Sequence, residues 1–477
     1  MDTGRTIHID PITRLEGHGK VAIFLDEEGE VRDARFHITQ FRGFERFCRG
    51  RPMEEMPVIT QRICGICPIS HQLAAAKACD AILDLEIPPA AVLLRRLAHM
   101  GQFIQSHALH FFYLASPDLL LGWDADPAVR NVVGVLRHHP EIARRGIGLR
   151  RWGQEMIQAV GGKRIHPALA VPGGVIAPLD PARRDALQAG LAEAYATADM
   201  ALALIGEWTE AHRAEAAAFA RFDSLYTGLV DTQGRSDLYD GQVRIRRPDG
   251  TVAAQFAPSD YLSFIAEHVE SWSYLKFPYF RPEGYPAGSY RVGPLARLAA
   301  ADALATPRAQ AALEDFRART AGDLAGGSLL YHWARMVELL QCIEAAEALL
   351  ADARLCDREV RRTAAARRPQ GIGIIEAPRG TLIHHYQVDG HGAITDVNLI
   401  VATGHNNAAM NRAVTLVARQ AIRPGTPIAE GACNRVEGAI RCYDPCLSCS
   451  THCLDQTATP IEVRDARGRR CWPGPRR

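Results

Sequence analysis

Two cysteine pairs constrain this chain more than any other feature, because they stand near its opposite ends. The first is Arg62-Ile-Cys64-Gly-Ile-Cys67-Pro-Ile-Ser-His71 and the second is Asp444-Pro-Cys446-Leu-Ser-Cys449-Ser-Thr-His452. A CxxC spacing lets two thiolates reach one metal without straining the backbone, and two such pairs make a four-sulfur site. A structural zinc ribbon keeps its pairs close in sequence, since the metal staples a module too small to have a core. At 477 residues and 47% hydrophobic, this chain needs no staple. The fold must instead bring its first quarter and its last turn to one point, which indicates a metal buried for chemistry. Soft thiolates select zinc, an iron–sulfur cluster, copper(I) or nickel. Spacing alone leans to zinc or iron–sulfur and leaves the others open. Arg62, His71, Asp444 and His452 flank the sulfurs, and cations beside thiolates favour the ligating form.

A formal net charge of +1 gives no case for nucleic acid or an acidic membrane surface as a partner. The basic runs 137–151 and 358–368 read as solvated helix faces. The other cysteines (Cys48, Cys79, Cys342, Cys356, Cys433, Cys442, Cys453 and Cys471) form no secreted-type framework. They read as core thiols in a reducing compartment. The first residues carry no apolar signal region, and no apolar run is long enough to span a bilayer, so the expected location is cytoplasmic.

Along the chain, residues 19–39 alternate apolar and polar about a turn at 26–30, the pattern of a β-hairpin. Helical patterning then dominates 61–85, 88–121 and 181–221, with a break at Pro172-Gly-Gly-Val175. Residues 222–300 are mixed, with strands expected at 242–246 and 252–256. Two more helical stretches fill 307–350. A second hairpin is expected over 372–402, with strands at 383–388 and 395–401, and a helix near 407–419 leads to the second cysteine pair. The class expected is α+β, mainly helical, folded as one large intertwined unit rather than separable domains.

Five blocks together resemble the large subunit of nickel–iron hydrogenases. They are the two cysteine motifs, Asp10-Pro-Ile-Thr-Arg-Leu-Glu16-Gly-His18, Arg42-Gly-Phe-Glu45 and Glu376-Ala-Pro-Arg379-Gly-Thr-Leu-Ile-His384, in that family's order. The segments Gly101-Gln-Phe-Ile-Gln-Ser-His-Ala-Leu-His110, Trp272-Ser-Tyr-Leu-Lys-Phe-Pro278, Arg291-Val-Gly-Pro-Leu295 and Ala402-Thr-Gly-His-Asn-Asn407 look like its soluble, bidirectional, NAD(P)-linked branch.

The resemblance implies a large-subunit fold of long core helices with peripheral hairpins, and a Ni-Fe(CO)(CN)2 centre. Cys64 and Cys446 would be terminal nickel ligands, and Cys67 and Cys449 would bridge nickel to iron. His71 would donate to a bridging sulfur. Arg379 would hold its guanidinium over the open coordination position, while Pro378, Ala402, Thr403 and Asp444 would line the cofactor, Thr403 bonding a cyanide. Glu16 would carry the proton released onto Cys446. Glu45, the Leu399 carbonyl and His452 would hold Mg2+ or another hard divalent ion. Glu45 by itself reads as a surface helix acid. Ser106 stands where many membrane-bound relatives carry an aspartate near Arg379. The resemblance also implies residues 1–452 as the large-subunit unit and 453–477 as a carboxyl-terminal extension, which in the family an endopeptidase removes after the final histidine, here His452.

The implied activity is reversible hydrogen heterolysis, H2 ⇌ 2H+ + 2e−. No further cysteine group suits a cluster, and no glycine-rich nucleotide loop appears. Electrons would therefore pass to an iron–sulfur small subunit, and onward to FMN and NAD(P) on a diaphorase module. The alternatives are a methyl-viologen- or cofactor-coupled cytosolic hydrogenase and a regulatory hydrogen sensor. A metal-free quinone-module subunit is disfavoured by the presence of all four cysteines.

Overall fold

The computed structural model describes residues 5–364 and 367–453, with the short stretches 463–464 and 470–472. At its centre lie three long helices, Pro89–Leu109, Pro140–Gly161 and Leu330–Ala351. Leu330–Ala351 is buried along most of its length and packs on Pro89–Leu109, Leu191–Ala211 and Pro307–Thr320. An apolar stripe this wide is what a helix needs to sit inside a large core rather than on its surface.

The helix Pro68–Leu83 begins directly after Cys67, with proline at its first position where a missing N–H costs nothing. Its Ala74, Ala75, Ala76 and Ala78 are fully buried. These short side chains let the strand Gln370–Ala377 lie close against the helix. The closest point is Gly373, where an added Cβ would stand 2.0 Å from the Ala74 carbonyl oxygen.

That strand belongs to an antiparallel sheet of Gln370–Ala377, Gly380–Val388 and Ile394–Ile400, in chain order. The expected second hairpin is therefore a three-stranded sheet, because 370–377 also pairs. Its first two strands are joined by Pro378-Arg379 alone, with Ala377 opposite Gly380. A two-residue turn fixes where its tip points, so Arg379 is presented at the end of a rigid ribbon. The N-terminal hairpin forms as Gly19–Leu25 and Val31–Ile38, with Thr6–Ile9 added at its edge. It is tied to the helix Asn407–Ala421 through Asn411 and Thr415, whose side chains bond the Phe36 and Ala34 amides at 2.8 and 3.2 Å. Strands Gln242–Arg246 and Val252–Phe256 sit as expected, in a four-stranded sheet with Leu225–Val230 and Tyr290–Arg291.

Elsewhere the structure divides what the periodicity ran together. The 88–121 stretch is two helices joined by a π-helical turn at His110–Ala115. The 181–221 stretch is three helices, Pro181–Gln188, Leu191–Ala211 and Arg213–Ala218, interrupted near Gly190 and His212. The helix Glu430–Arg441, not anticipated from sequence, delivers the second cysteine motif. The run 137–151 lies on helices as read, whereas the described part of 358–368 is extended or irregular and offers no helix face. In the tail, Val463–Arg464 pairs antiparallel with Arg470–Trp472. Among the described residues no helix is long and apolar enough to cross a membrane.

Gly373→Ala should lower stability by about 1–3 kcal/mol, the usual cost of forcing a methyl group into a filled contact. Thermal unfolding of the purified protein checks this, with Gly390→Ala, where an added Cβ meets nothing within 4 Å, as the silent control.

Candidate metal centre

Cys64 follows a short turn at Gln61–Ile63 in extended conformation, and the N–H groups of Ile66 and Cys67 both point at its Sγ, at 3.2 Å each. Cys446 and Cys449 follow Tyr443-Asp444-Pro445, where Asp444 adopts a positive φ of 50°. The two segments are clamped by one side chain. Arg42 donates to the Ile63 and Ser448 carbonyls at 2.5 Å each and to Thr451 Oγ1 at 3.0 Å.

The result is a single group of four sulfurs. Cys64 Sγ lies 3.2 Å from Cys446, Cys67 lies 3.4 Å from Cys449, and Cys446 lies 2.8 Å from Cys449. All four fall within 4.8 Å of one another and none is more than 4% exposed. Burial opposes ionisation of Cys64, yet the hydrogen bonds from Cys446, Cys449 and Cys67, with the charge of Arg379, hold its thiol well below the ordinary range. Burial and the neighbouring sulfurs push Cys446 well up, and burial does the same to Cys449. Ionising one sulfur suppresses the others. Four thiolates can coexist here only around a cation, so the donor set itself fits a soft metal.

Beside Cys67, Cys446 and Cys449 lies a small cavity walled by Ala377, Pro378, Leu382 and Ala402 and edged by Ser70, Arg379 and Thr403. Its polar edges carry unused bonding capacity. Among the described residues Arg379 Nε and Ser70 Oγ have no partner, and Thr403 Oγ1 accepts from the Cys446 N–H at 2.9 Å, leaving its own proton free. Such a wall suits small metal ligands with polar tips.

Arg379 donates to Asp444 Oδ1 at 3.1 Å and to Ser106 Oγ at 3.3 Å, so the serine does stand beside it. Burial works against the Arg379 charge, but Asp444 and three of the sulfurs keep the guanidinium firmly protonated. Burial lifts the Asp444 carboxyl despite the same partner. His71 Nε2 lies 3.4 Å from Cys449 Sγ, and burial lowers this imidazole to about 4.

Glu16 comes from the loop after the first strand, held alongside Cys446 by a bond from the Leu447 N–H to the Glu16 carbonyl at 3.0 Å. Its Oε2 accepts from Cys446 Sγ and from the Ser448 N–H, both at 3.0 Å. Gly17 makes this approach possible, since its φ is +89° and a Cβ there would lie 2.7 Å from the Leu447 side chain. The residue Glu16 is half-buried, so it joins the enclosed thiol to the outer surface.

Glu45, Leu399 and His452 converge on a second polar cluster. Glu45 Oε1 accepts from the Leu399 N–H at 2.8 Å and lies 3.2 Å from His452 Nδ1. Burial opposes the Glu45 charge, but His452 and Lys276 hold the carboxyl below its usual range. Glu45 is 7% exposed, so it is not the surface acid that its helix position suggested.

Two buried charge networks behind the site escaped the sequence reading. In one, Arg297 grips Glu338 through two bonds at 2.5 and 2.6 Å and Glu376 at 2.7 Å, and donates to the Ala377 and Pro378 carbonyls at 2.9 and 3.2 Å. His107 Nε2 completes it, 2.7 Å from Glu338. The Arg379 turn is thereby fixed from behind. In the other, Asp118 takes Arg14 at 2.5 Å and Arg441 at 3.0 Å, while Glu437 binds Arg441 at 2.9 Å and Thr13 Oγ1 at 2.6 Å. This brace holds the Glu16 loop against the helix leading to Cys446. The available signal was a lone charge in an apolar run, as at Leu295-Ala-Arg297-Leu and Met336-Val-Glu338-Leu.

The model of the nickel-dependent hydrogenase family matches residues 42–128 and 215–452, and a HoxL-like model matches 6–41. The chain belongs to the nickel-dependent hydrogenase family. It is 44% identical to the beta subunit of the NAD-reducing hydrogenase HoxS of Cupriavidus necator, over 98% of each chain. It is 43% identical to an F420-non-reducing hydrogenase subunit of Methanothermobacter thermautotrophicus, over 96% of this chain and 98% of that one. The fold superposes on an NAD+-reducing [NiFe]-hydrogenase in the H2-reduced state with a TM-score of 0.92 and 50% identity, covering 94% of this chain and 99% of the other. The Ni-Fe-Se hydrogenase of D. vulgaris Hildenborough gives a TM-score of 0.74 at 25% identity, over 94% and 100% of the two chains. This is the catalytic large subunit of a nickel–iron hydrogenase, with the α+β fold of that family.

Glu338 is held ionised by Arg297 and His107 against burial, from an ordinary value of 4.5 down to about 2. Its contribution to stability is therefore complete above pH about 4.5 and is lost as pH falls toward 2. Glu338→Gln should cost ~3–5 kcal/mol near neutral pH, because it leaves a buried guanidinium underpaired. It should also flatten the acid side of the stability–pH curve, as measured by denaturant unfolding across that window.

Proposed function

We propose that this chain catalyses reversible H2 ⇌ 2H+ + 2e− in the cytoplasm as part of a multi-subunit, NAD(P)-linked enzyme. When bound among the four sulfurs, a Ni-Fe(CO)(CN)2 centre supplies the two-electron chemistry that splitting hydrogen requires. Cys64 and Cys446 would hold the nickel, Cys67 and Cys449 would be shared with the iron, and Arg379, Thr403 and Ser70 would offer hydrogen bonds to small ligands on the metals. Arg379 keeps a fixed positive charge at the open side and excludes bulk water from it.

The observation that carries the reading is the 3.0 Å contact between Cys446 Sγ and Glu16 Oε2. A proton resting on the Cys446 sulfur has a carboxylate in reach, and that carboxylate borders solvent. Glu45, Leu399 and His452 would hold Mg2+ or a similar hard ion, tying the N-terminal region to the end of the catalytic unit. The peptide bond after His452 is buried in the full chain, with His452 and Cys453 at 6% and 3% exposure. Removal of 453–477 by a dedicated endopeptidase would thus follow or accompany a local opening of this segment.

Among the described residues the four thiols are the one group of three or more Cys, His, Asp or Glu side chains placed to share a metal ion. Electrons therefore leave through an iron–sulfur small subunit, and similarity to the NAD-reducing beta subunit supports a flavin-bearing diaphorase beyond it. The nearly equal identity to the F420-non-reducing relative supports a second reading, in which a different electron acceptor serves the same catalytic chain. Hydrogen-dependent reduction of NAD+ and NADP+ by the co-purified complex separates the two. Reduction of viologen alone favours the second.

Glu16→Gln retains a hydrogen-bond acceptor for the thiol but cannot carry the proton. Hydrogen oxidation should fall by roughly a hundredfold or more, with unchanged nickel content. Unchanged turnover would remove Glu16 from the proton route.

A further inference from the structure

Behind the bridging sulfurs runs a line of buried polar groups that the proposed reaction leaves unused. His71 Nε2 lies 3.4 Å from Cys449 Sγ, and His71 Nδ1 lies 3.2 Å from His384 Nε2. His384 Nδ1 lies 2.6 Å from the Tyr386 hydroxyl. Both histidines and the tyrosine are at most 1% exposed. His384 and Tyr386 are alternate residues of the strand Gly380–Val388, so one face of the ribbon that carries Arg379 also carries this line.

Proton counting gives the line a direction. There are three contacts, and two neutral imidazoles and one phenol bring three protons. A thiolate that ligates a metal can only accept, so His71 must carry its proton on Nε2 and accept at Nδ1. His384 must then carry its proton on Nε2 and accept at Nδ1, and the donor to that nitrogen is the Tyr386 hydroxyl. Thr60, the nearby hydroxyl, brings no proton of its own, since it donates to the Met56 carbonyl at 2.7 Å. The reverse polarity would aim a bare ring nitrogen at a bare thiolate.

We propose that Tyr386 and His384 are positioning residues whose hydrogen bonds fix the tautomers of both imidazoles and oblige His71 to donate to the Cys449 sulfur. The inference rests on Cys449 being a bridging thiolate of the proposed centre. A donor on that sulfur withdraws charge from the metals, as the outer partners of metal ligands generally do. Tyr386 thus acts on the centre through two intervening rings, without touching it.

The test uses the complete enzyme carrying Tyr386→Phe, His384→Leu or His384→Gln, with nickel and iron content and the infrared bands of carbonyl and cyanide as readouts. Phenylalanine removes one oxygen, and leucine cuts the line at its middle. Both should move the carbonyl band to lower wavenumber, because a less neutralised sulfur leaves iron richer in electrons. Glutamine can accept from Tyr386 and donate to His71, so it should hold the band near the wild-type position. Loaded Phe and Leu variants with unmoved bands overturn the inference, and so does glutamine behaving like leucine in band position or in metal loading. Wild-type enzyme without nickel or without these bands overturns the metal reading itself, which is a distinguishable result.

Discussion

Four sulfurs held within 4.8 Å of one another in a dry interior cannot all be charged by themselves, and the rest of this molecule is organised around that problem. The charge must be balanced by metal, and the geometry must be closed by segments from opposite ends of the chain. Closure is local and physical. Arg42 bonds backbone carbonyls of both segments, Glu16 and Cys446 run side by side, and Thr403 binds the Cys446 amide. None of these contacts exists until the first and last parts of the sequence have met, so the site is a property of the finished fold.

The buried ions behind the site are costly to desolvate, by several kcal/mol each even after relaxation. Pairing offsets that cost, and the pairs supply direction that apolar packing lacks. Arg297 directs its donors to two carboxylates and to the backbone of the Pro378-Arg379 turn, which fixes the height at which Arg379 meets the centre. Asp118, Arg14, Arg441 and Glu437 do the same for Glu16. One network thus braces the turn that carries Arg379 and the other braces the loop that carries Glu16.

Much of this was readable before the structure. The cysteine motifs, Glu16, Arg379, Thr403 and the cluster of Glu45 with His452 fell inside recognisable blocks, because chemistry demands particular residue types at particular spacings. The N-terminal hairpin and the helices Pro89–Leu109 and Leu330–Ala351 followed from periodicity, whereas Pro140–Gly161 was read only through the basic run at 137–151. What did not follow depended on tertiary context. The strand Gln370–Ala377 lacks clear alternation because it is buried on both faces against an alanine-rich helix. The helix Glu430–Arg441 carries Asn434, Glu437 and Arg441 toward buried partners, so its inward face did not look apolar. Glu45 read as exposed because its shielding comes from Leu399 and His452, over three hundred positions away. Pairings at that separation leave no local trace in a single sequence.

The central claim is that the four thiols hold one nickel and one iron rather than a structural zinc ion. Elemental analysis of the purified, maturation-competent enzyme, with Cys64→Ser and Cys446→Ser alongside, tests it most directly. The account predicts one nickel per catalytic chain in the wild type, iron beyond that of the partner's clusters, and loss of nickel in both variants with the fold retained. Stoichiometric zinc in place of nickel, or nickel undiminished in the serine variants, would contradict it.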